Sequence, residues 1–168
     1  MELVEQLKND GIAKGLCQAW QDKLKPGVSM ERLVQLYMRG IDFCVKNDFP
    51  TLDFLRMYFK GKCEPYGAYV DDIFEKRNAP DAILNGNCNA KLVYDGYTVS
   101  RVVIRHTSTA SVTIYGYACV TIDVFDDAVL NLVVIGTRAK VLVYRYGNSK
   151  VNYNGAYAKV IFKNKNTY

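Results

Sequence analysis

Apolar and polar residues alternate through the second half of the chain, in units that repeat every eight to eleven residues. Each unit begins with a small residue, continues with two apolar residues at two-residue intervals, and in most cases closes with glycine, asparagine or aspartate. A period of two is typical of a strand with one buried face. A small residue at a recurring position indicates a sharp bend where only a short side chain fits. These small residues are Ala110, Ala118, Ala128, Ala139, Ser149 and Ala158.

A fixed repeat of short strands and turns predicts a stacked architecture. Two units, or about twenty residues, are expected to form one coil of a flattened parallel β-solenoid. Weaker copies of the unit begin near residue 82, so we expect about four coils up to residue 164. The fold class is then α+β. The alternative is an antiparallel β-sandwich, where similar strand spacing occurs, but which does not require small residues at one recurring position.

The first half of the chain has apolar residues at helical spacing instead. We expect short helices over 2–8 and 12–24, a third helix that begins at the N-cap Ser29 and runs to about Lys46, and a fourth capped by Thr51. Three or four amphipathic helices of this kind predict a compact N-terminal bundle.

Composition divides the chain into three parts. We expect a helical domain over 1–62, a linking and capping segment over 63–81, and a β-solenoid repeat domain over 82–168. The middle segment is dense in glycine, proline, tyrosine and charged residues, which favours a loop.

Charge is distributed unevenly between the halves. Residues 1–80 contain 12 basic and 12 acidic residues, whereas residues 81–168 contain 10 basic and 5 acidic ones, so the net charge of +5 lies in the repeat half. This excess allows an anionic partner, but it is equally compatible with solubility alone.

Five cysteines without close pairs argue against a disulfide framework, and no apolar run reaches the length of a membrane span. The acidic N-terminus is unlike a signal peptide, so we expect a cytoplasmic protein.

Two segments carry a resemblance to other proteins. Residues 50–56 read P-T-L-D-F-L-R and residues 60–67 read K-G-K-C-E-P-Y-G, ahead of the short Ala/Val/Gly repeats. In these features the chain resembles small proteins encoded by phages and mobile elements of gut bacteria, with a helical head and a short β-solenoid tail. The resemblance implies a working place in the bacterial host cytoplasm or in a virion. It implies no activity and no catalytic residues.

Two groups of residues are candidates for catalysis. Asp123, Asp126 and Asp127 form the one close acidic group of the repeat, and with Arg138 or Arg145 they would suit calcium or a sugar acid. Alternatively, Asp126 and Asp127 form a turn and Asp123, which points outward, is solvated. The single histidine, His106, is close to Ser108 in sequence, but no G-x-S-x-G motif is present, and an exposed loop histidine is the alternative.

Cysteine and histidine spacings typical of metal sites are absent from the sequence. We therefore expect no metal and no cofactor.

Tyrosine and arginine provide the candidate binding site. Nine of the thirteen tyrosines follow residue 81, several of them beside glycine or arginine. Such residues stack on bases or sugars, or form a rigid protein-binding face, unless they simply shield the strands. The candidate binding residues are Tyr115, Tyr117, Arg138, Tyr144, Arg145 and Tyr146.

Taken together, these patterns favour a structural or protein-interaction protein without enzymatic activity, acting through a rigid solenoid surface in assembly or in inhibition of a host protein. We expect a protein partner, with self-association as a further possibility and no membrane. A binding module for an anionic polymer, nucleic acid or glycan, is the alternative. An enzyme acting on polysaccharide through Asp123, Asp126 and Asp127 is the third hypothesis.

Overall fold

The computed structural model describes residues 3–155 and 157–168, and the chain divides into two compact units. One unit extends to Tyr66 and is helical, and the other, Gly67–Thr167, consists of strands. This arrangement confirms the α+β class. No helix among the described residues is long and apolar enough to cross a membrane.

Five helices make up the first unit within the described residues. They are α1 (Leu3–Ala13), α2 (Gln18–Gln21), α3 (Met30–Arg39), α4 (Ile41–Asn47) and α5 (Leu52–Tyr58), followed by a 3-10 turn at Glu64–Tyr66. The two predicted N-caps are confirmed. The Ser29 hydroxyl accepts a hydrogen bond from the Arg32 amide at 3.2 Å, and the Thr51 hydroxyl accepts one from the Phe54 amide at 3.3 Å.

Three helix predictions are wrong in their bounds, and the first of these helices, predicted over 2–8, extends to Ala13 as α1. The helix predicted over 12–24 does not exist as one element, because α1 continues to Ala13 and the chain then turns at Gly15, whose φ is +88°. The helix predicted from Ser29 to Lys46 is interrupted at Gly40, which leaves the helical region and separates α3 from α4. In both places a glycine ends a helix that the apolar spacing alone would continue.

Parallel strands form the second unit. They are β1 (Ala68–Val70), β2 (Ile73–Arg77), β3 (Ala82–Asn85), β4 (Asn89–Tyr94), β5 (Val99–Ile104), β6 (Thr109–Ile114), β7 (Cys119–Val124), β8 (Val129–Val134), β9 (Lys140–Tyr146), β10 (Lys150–Gly155) and β11 (Lys159–Lys163). Odd-numbered strands form one sheet in the order β1-β3-β5-β7-β9-β11, and even-numbered strands form the other. Every pairing is parallel, which confirms the β-solenoid of about four turns and excludes the antiparallel sandwich.

Register fixes the length of a coil. Asn89 pairs with Thr109, and Thr109 pairs with Val129, so neighbouring strands of a sheet are 20 residues apart, as predicted. Cys119 pairs with Lys140 at a separation of 21, because the turn between β8 and β9 contains one additional residue.

The solenoid starts earlier than residue 82. Strands β1 and β2 lie in the segment 63–81 that was predicted to be a linker, and both pair with the strands that follow. That segment is therefore largely a first coil, although a shorter one: Ala68 pairs with Ile83, only 15 residues further on. Strand β1 has only three residues, all buried, and β2 has one half-buried residue among four exposed ones, so neither strand shows a period of two. The composition of this segment therefore indicated a loop.

Inward side chains of both sheets fill the solenoid. The largest contributions come from aliphatic residues and one tyrosine that are fully buried: Leu84, Leu92, Tyr94, Ile104, Ile114, Ile122, Leu130 and Leu132. Ala118, Ala128 and Ser149 are fully buried in the turns, where the repeat places small residues. Ala110 instead lies within β6 and pairs with Ala90, so its small size reflects the width of the interior rather than a bend.

The turns form two edges of the solenoid, and each of the nine turns that follow β1 to β9 contains a residue with positive φ. The turns after β2, β4, β6 and β8 are called the first corner, where these residues are Asn78, Gly96, Gly116 and Gly136. The turns after β1, β3, β5, β7 and β9 are called the second corner, where they are Asp71, Gly86, His106, Asp126 and Gly147.

Candidate functional site

The acidic residues do not form a cluster that resembles a catalytic site. Asp123 points away from the solenoid interior, as predicted, but it is only 2% exposed and is not solvated. Its carboxylate lies 3.0 Å from Nε of Arg101, which supplies the partner that a buried charge requires. Asp126 and Asp127 lie at the second corner, where Asp126 adopts positive φ and forms part of the turn, in agreement with the alternative interpretation.

The side chain of His106 has a structural role in the second corner. Its φ is +59°, and its Nδ1 atom accepts a hydrogen bond from the Gly86 amide at 3.0 Å. The His106 amide in turn donates to Oδ2 of Asp126 at 2.8 Å. Ser108 is fully buried, and its hydroxyl donates to the Gly86 carbonyl. The histidine is therefore half-buried rather than exposed, and Ser108 is not placed as a nucleophile.

Three of the candidate binding residues meet at the first corner, together with a tyrosine that sequence reasoning missed. The Tyr97 and Tyr117 rings, one turn apart, stack with centroids 4.9 Å apart and an angle of 12° between planes. The Arg138 guanidinium lies over the Tyr117 ring, 5.1 Å from its centroid, and donates a hydrogen bond to the Tyr117 hydroxyl. Tyr97 is 81% exposed and Tyr117 is 44% exposed. The result is a row of planar groups that faces solvent.

A second row runs beside the first one, on the other side of the corner glycines. The Arg77 guanidinium forms an ion pair with Asp95 and donates to the Tyr115 hydroxyl at 2.5 Å. Asn78 donates to Asp95 Oδ1 at 2.5 Å, and its own side-chain oxygen accepts from the Asp95 amide. The hydrogen bonds from Asn78 and Arg77 lower the pKa of Asp95, and the same ion pair raises the pKa of Arg77.

We call these two rows together the corner surface: Arg77, Asp95, Tyr97, Tyr115, Tyr117 and Arg138. Each position is set by the coil repeat, because the residues on either side of Gly96 and Gly116 fall in register from one turn to the next. The additional residue in the turn after β8 places Arg138 at the end of the tyrosine row. Aromatic faces next to guanidinium groups suit contact with proteins, sugars or bases.

The other three candidates lie on β9 and do not join the corner surface. Tyr144 is half-buried, with the Lys163 ammonium 5.1 Å from its ring centroid. Arg145 occupies an inward position of the last coil, where it lies under the Phe162 ring and donates to the Ser149 carbonyl at 2.5 Å. Tyr146 is 3% exposed and stacks on Phe125 with centroids 4.3 Å apart. The ring of Tyr146 is therefore not presented to a partner, and its burial also raises the pKa of its hydroxyl.

Sequence reasoning also missed Arg77 and Asp95. The signal that identifies Asp95 and Tyr97 is their position, since they flank Gly96 just as Tyr115 and Tyr117 flank Gly116. Arg77 has no such signal, because β2 was hidden in the predicted linker. Among residues 3–155 and 157–168, no group of three or more histidine, cysteine or acidic residues is placed to hold a metal ion.

Comparisons with known proteins add no family to this description. No protein-family model, no curated protein and no solved structure matches the chain. The geometry of the corner surface therefore carries the functional argument.

Proposed function

We propose that this protein is a non-enzymatic interaction protein that binds another protein through the corner surface. One observation carries the proposal: the stacked pair of Tyr97 and Tyr117, continued by Arg138, faces solvent on a rigid edge of the solenoid. Tyrosine and arginine are among the residues that most often dominate the energy of protein interfaces.

Preorganisation strengthens this argument. An exposed tyrosine or arginine normally loses rotamer freedom when a partner binds, which costs about 0.5 to 1.5 kcal/mol for each side chain. Here Tyr117 is held between a second ring and a guanidinium before any partner arrives. The neighbouring row is fixed by the hydrogen bonds between Arg77, Asp95 and Tyr115. These side chains have therefore already lost much of their rotamer freedom in the folded protein, and binding a partner costs less conformational entropy.

The proposed setting follows from the resemblance of residues 50–67 to small proteins of phages and mobile elements. In that setting the protein acts in the bacterial cytoplasm or in a virion, either in assembly or as an inhibitor of a host protein. A partner of this kind presents a folded surface, which suits a rigid row of side chains better than a deep pocket would.

A second candidate function is binding of an anionic polymer. Arg77 and Arg138 place two positive charges beside aromatic faces, which is the combination that binds single-stranded nucleic acid. Asp95 already neutralises Arg77, however, which lowers the net positive charge of this edge. We therefore rank this function second.

The test is affinity capture from a bacterial lysate with the full chain as bait, with and without nuclease and at two salt concentrations. The bait variant is Tyr97→Ala/Tyr117→Ala, and the matched control is Tyr157→Ala, which removes a 77% exposed tyrosine from the segment between β10 and β11. We expect a stoichiometric protein that survives nuclease and salt and that the double variant fails to retain.

Two results would contradict the proposal. Capture that is equal for the double variant and for the wild type would exclude the corner surface. Recovery of nucleic acid that disappears with nuclease or with modest salt would favour the anionic-polymer function instead, since phosphate contacts are steeply salt-dependent.

A further inference from the structure

A cavity of about 230 Å³ lies in the helical unit, and none of the residues that line it belongs to the corner surface. All the residues that line it belong to that unit. Most of its wall is aromatic or aliphatic, and it includes the one tryptophan of the chain: Trp20, Leu36, Phe43, Phe49 and Phe59. An apolar void of about 150 Å³ in another protein holds benzene, so by proportion this cavity has room for about nine or ten non-hydrogen atoms.

The walls of the cavity are held apart by their own contacts. Trp20 packs against the bare backbone of Gly40, where an added Cβ would lie 3.4 Å from the indole ring. Phe43 and Phe49 meet edge to face, with centroids 5.9 Å apart and planes at 76°. Gln21 donates to the Leu16 carbonyl at 2.6 Å and fixes the turn between α1 and α2. A space supported in this way does not close by small shifts of one side chain.

The cavity has one charged residue in its lining and a second charge beside its tryptophan. Asp42, in the first turn of α4, is the one charged residue among those that line the cavity, and it is exposed. Its carboxylate would attract an ammonium group and repel a carboxylate. Lys23 does not line the cavity, but its ammonium lies 4.1 Å from the centroid of the Trp20 ring, a contact that shows that this wall attracts a cation.

We infer that the helical unit binds a small amphipathic amine, with its hydrophobic body in the cavity and its ammonium group beside Asp42. Ligand pockets are typically apolar with a few polar groups that fix orientation, and this cavity has that character. The site is separate from the proposed protein-binding function, and neither depends on the other.

The experiment uses three ligands of nearly equal size: 3-phenylpropylamine, 3-phenylpropanol and 3-phenylpropionate. Each is titrated into the full-length protein at low salt, and binding is followed by the emission of Trp20. We expect saturable changes with the amine and the alcohol, and the amine should bind about 2- to 5-fold more tightly, because an exposed ion pair contributes about 0.2 to 1 kcal/mol. The carboxylate should bind most weakly.

Two variants locate the ligand. Asp42→Asn should remove the advantage of the amine and leave the alcohol unchanged, because it alters only the charge. Leu36→Phe should weaken all three ligands by filling the cavity, whereas Met57→Phe, on the exposed side of α5, should not. If Leu36→Phe does not fold, the affinities of the amine and the alcohol for Asp42→Asn still test the inference. The absence of a saturable response, or a preference for the carboxylate, would overturn the inference.

Discussion

The two corners of the solenoid have the same backbone conformation but use their side chains differently. At the second corner, Asp71, His106 and Asp126 occupy left-handed positions, and each side chain accepts a hydrogen bond from an amide of a neighbouring turn. At the first corner, Gly96 and Gly116 occupy these positions and have no side chain to offer. Gly96 connects these turns through its backbone, since its carbonyl accepts a hydrogen bond from the Tyr117 amide at 2.8 Å. Asn78, which also has positive φ at this corner, follows the pattern of the second corner, because its side-chain oxygen accepts from the Asp95 amide.

The comparison shows how a repeat fold separates stability from binding. Where Gly96 and Gly116 take the left-handed position without steric cost, the flanking tyrosines are large and planar, with Tyr97 and Tyr117 exposed and Tyr115 half-buried. Where a polar residue takes that position, its side chain is committed to the coil. Surface suited to a partner is therefore concentrated on one edge of the solenoid.

The largest expected effect tests how tightly the second corner is packed. Ala128 is fully buried there, so Ala128→Leu should overpack the turn and cost about 1 to 3 kcal/mol of the free energy of unfolding. Ala139→Leu should cost clearly less, because Ala139 is half-buried in the first-corner turn that has an additional residue. Urea denaturation of both variants measures the difference. Equal costs would mean that the additional residue in the turn after β8 gives the side chain at position 139 no extra room.

The second-largest effect is a pH dependence of stability caused by a tyrosine that lies inside the solenoid, next to the first corner. Tyr94 lies three residues before Tyr97 but is fully buried, and burial raises the pKa of its hydroxyl to about 12. The neutral form is favoured in the fold, so the unfolded chain loses this proton first as the pH rises above 10. The free energy of unfolding should fall by about 2 kcal/mol between pH 10 and pH 12.

Tyr94→Phe is the control for this prediction. It should flatten that part of the pH profile, because it removes the buried hydroxyl and keeps the buried ring. A profile that keeps its slope in Tyr94→Phe would show that other groups cause the alkaline loss.

The smallest effect concerns the side-chain hydrogen bonds of the second corner. Asp126→Ala removes the acceptor of the His106 amide and keeps a residue with a Cβ at φ +57°, so it should cost about 1 kcal/mol. Asp126→Gly loses the same hydrogen bond but relieves the backbone strain, and should cost less. Thermal unfolding of the two variants gives the order, and a greater loss for glycine would contradict the structural role assigned to Asp126.

Periodicity was sufficient to predict the solenoid but not the surface on it. The alternation of Val120, Ile122 and Val124 determines which side chains enter the interior, and turn residues such as Gly116 mark the bends. The stack of Tyr97 on Tyr117 depends on register across 20 residues, which becomes visible only when the coil length is known.

The burial of Asp123 shows a different limit of sequence reasoning. Alternation correctly predicts its direction, but a strand pattern gives no information about what covers the outer face of a sheet. Its ion pair with Arg101 joins residues 22 positions apart on adjacent strands. Arg145 illustrates the same limit, because alternation with Val141 and Val143 gives its inward direction but not the Phe162 ring that lies against it.

The most direct test of the division between the corners is the affinity of two variants for the captured partner, measured by titration. Tyr97→Ala/Tyr117→Ala alters the first corner, and Asp126→Gly alters the second. Removal of residues that dominate an interface costs about 2 kcal/mol or more, so the double variant should lose about 30-fold or more in affinity. Asp126→Gly should bind like the wild type. Equal affinity of both variants, or a greater loss with Asp126→Gly, would contradict the assignment of binding to the first corner.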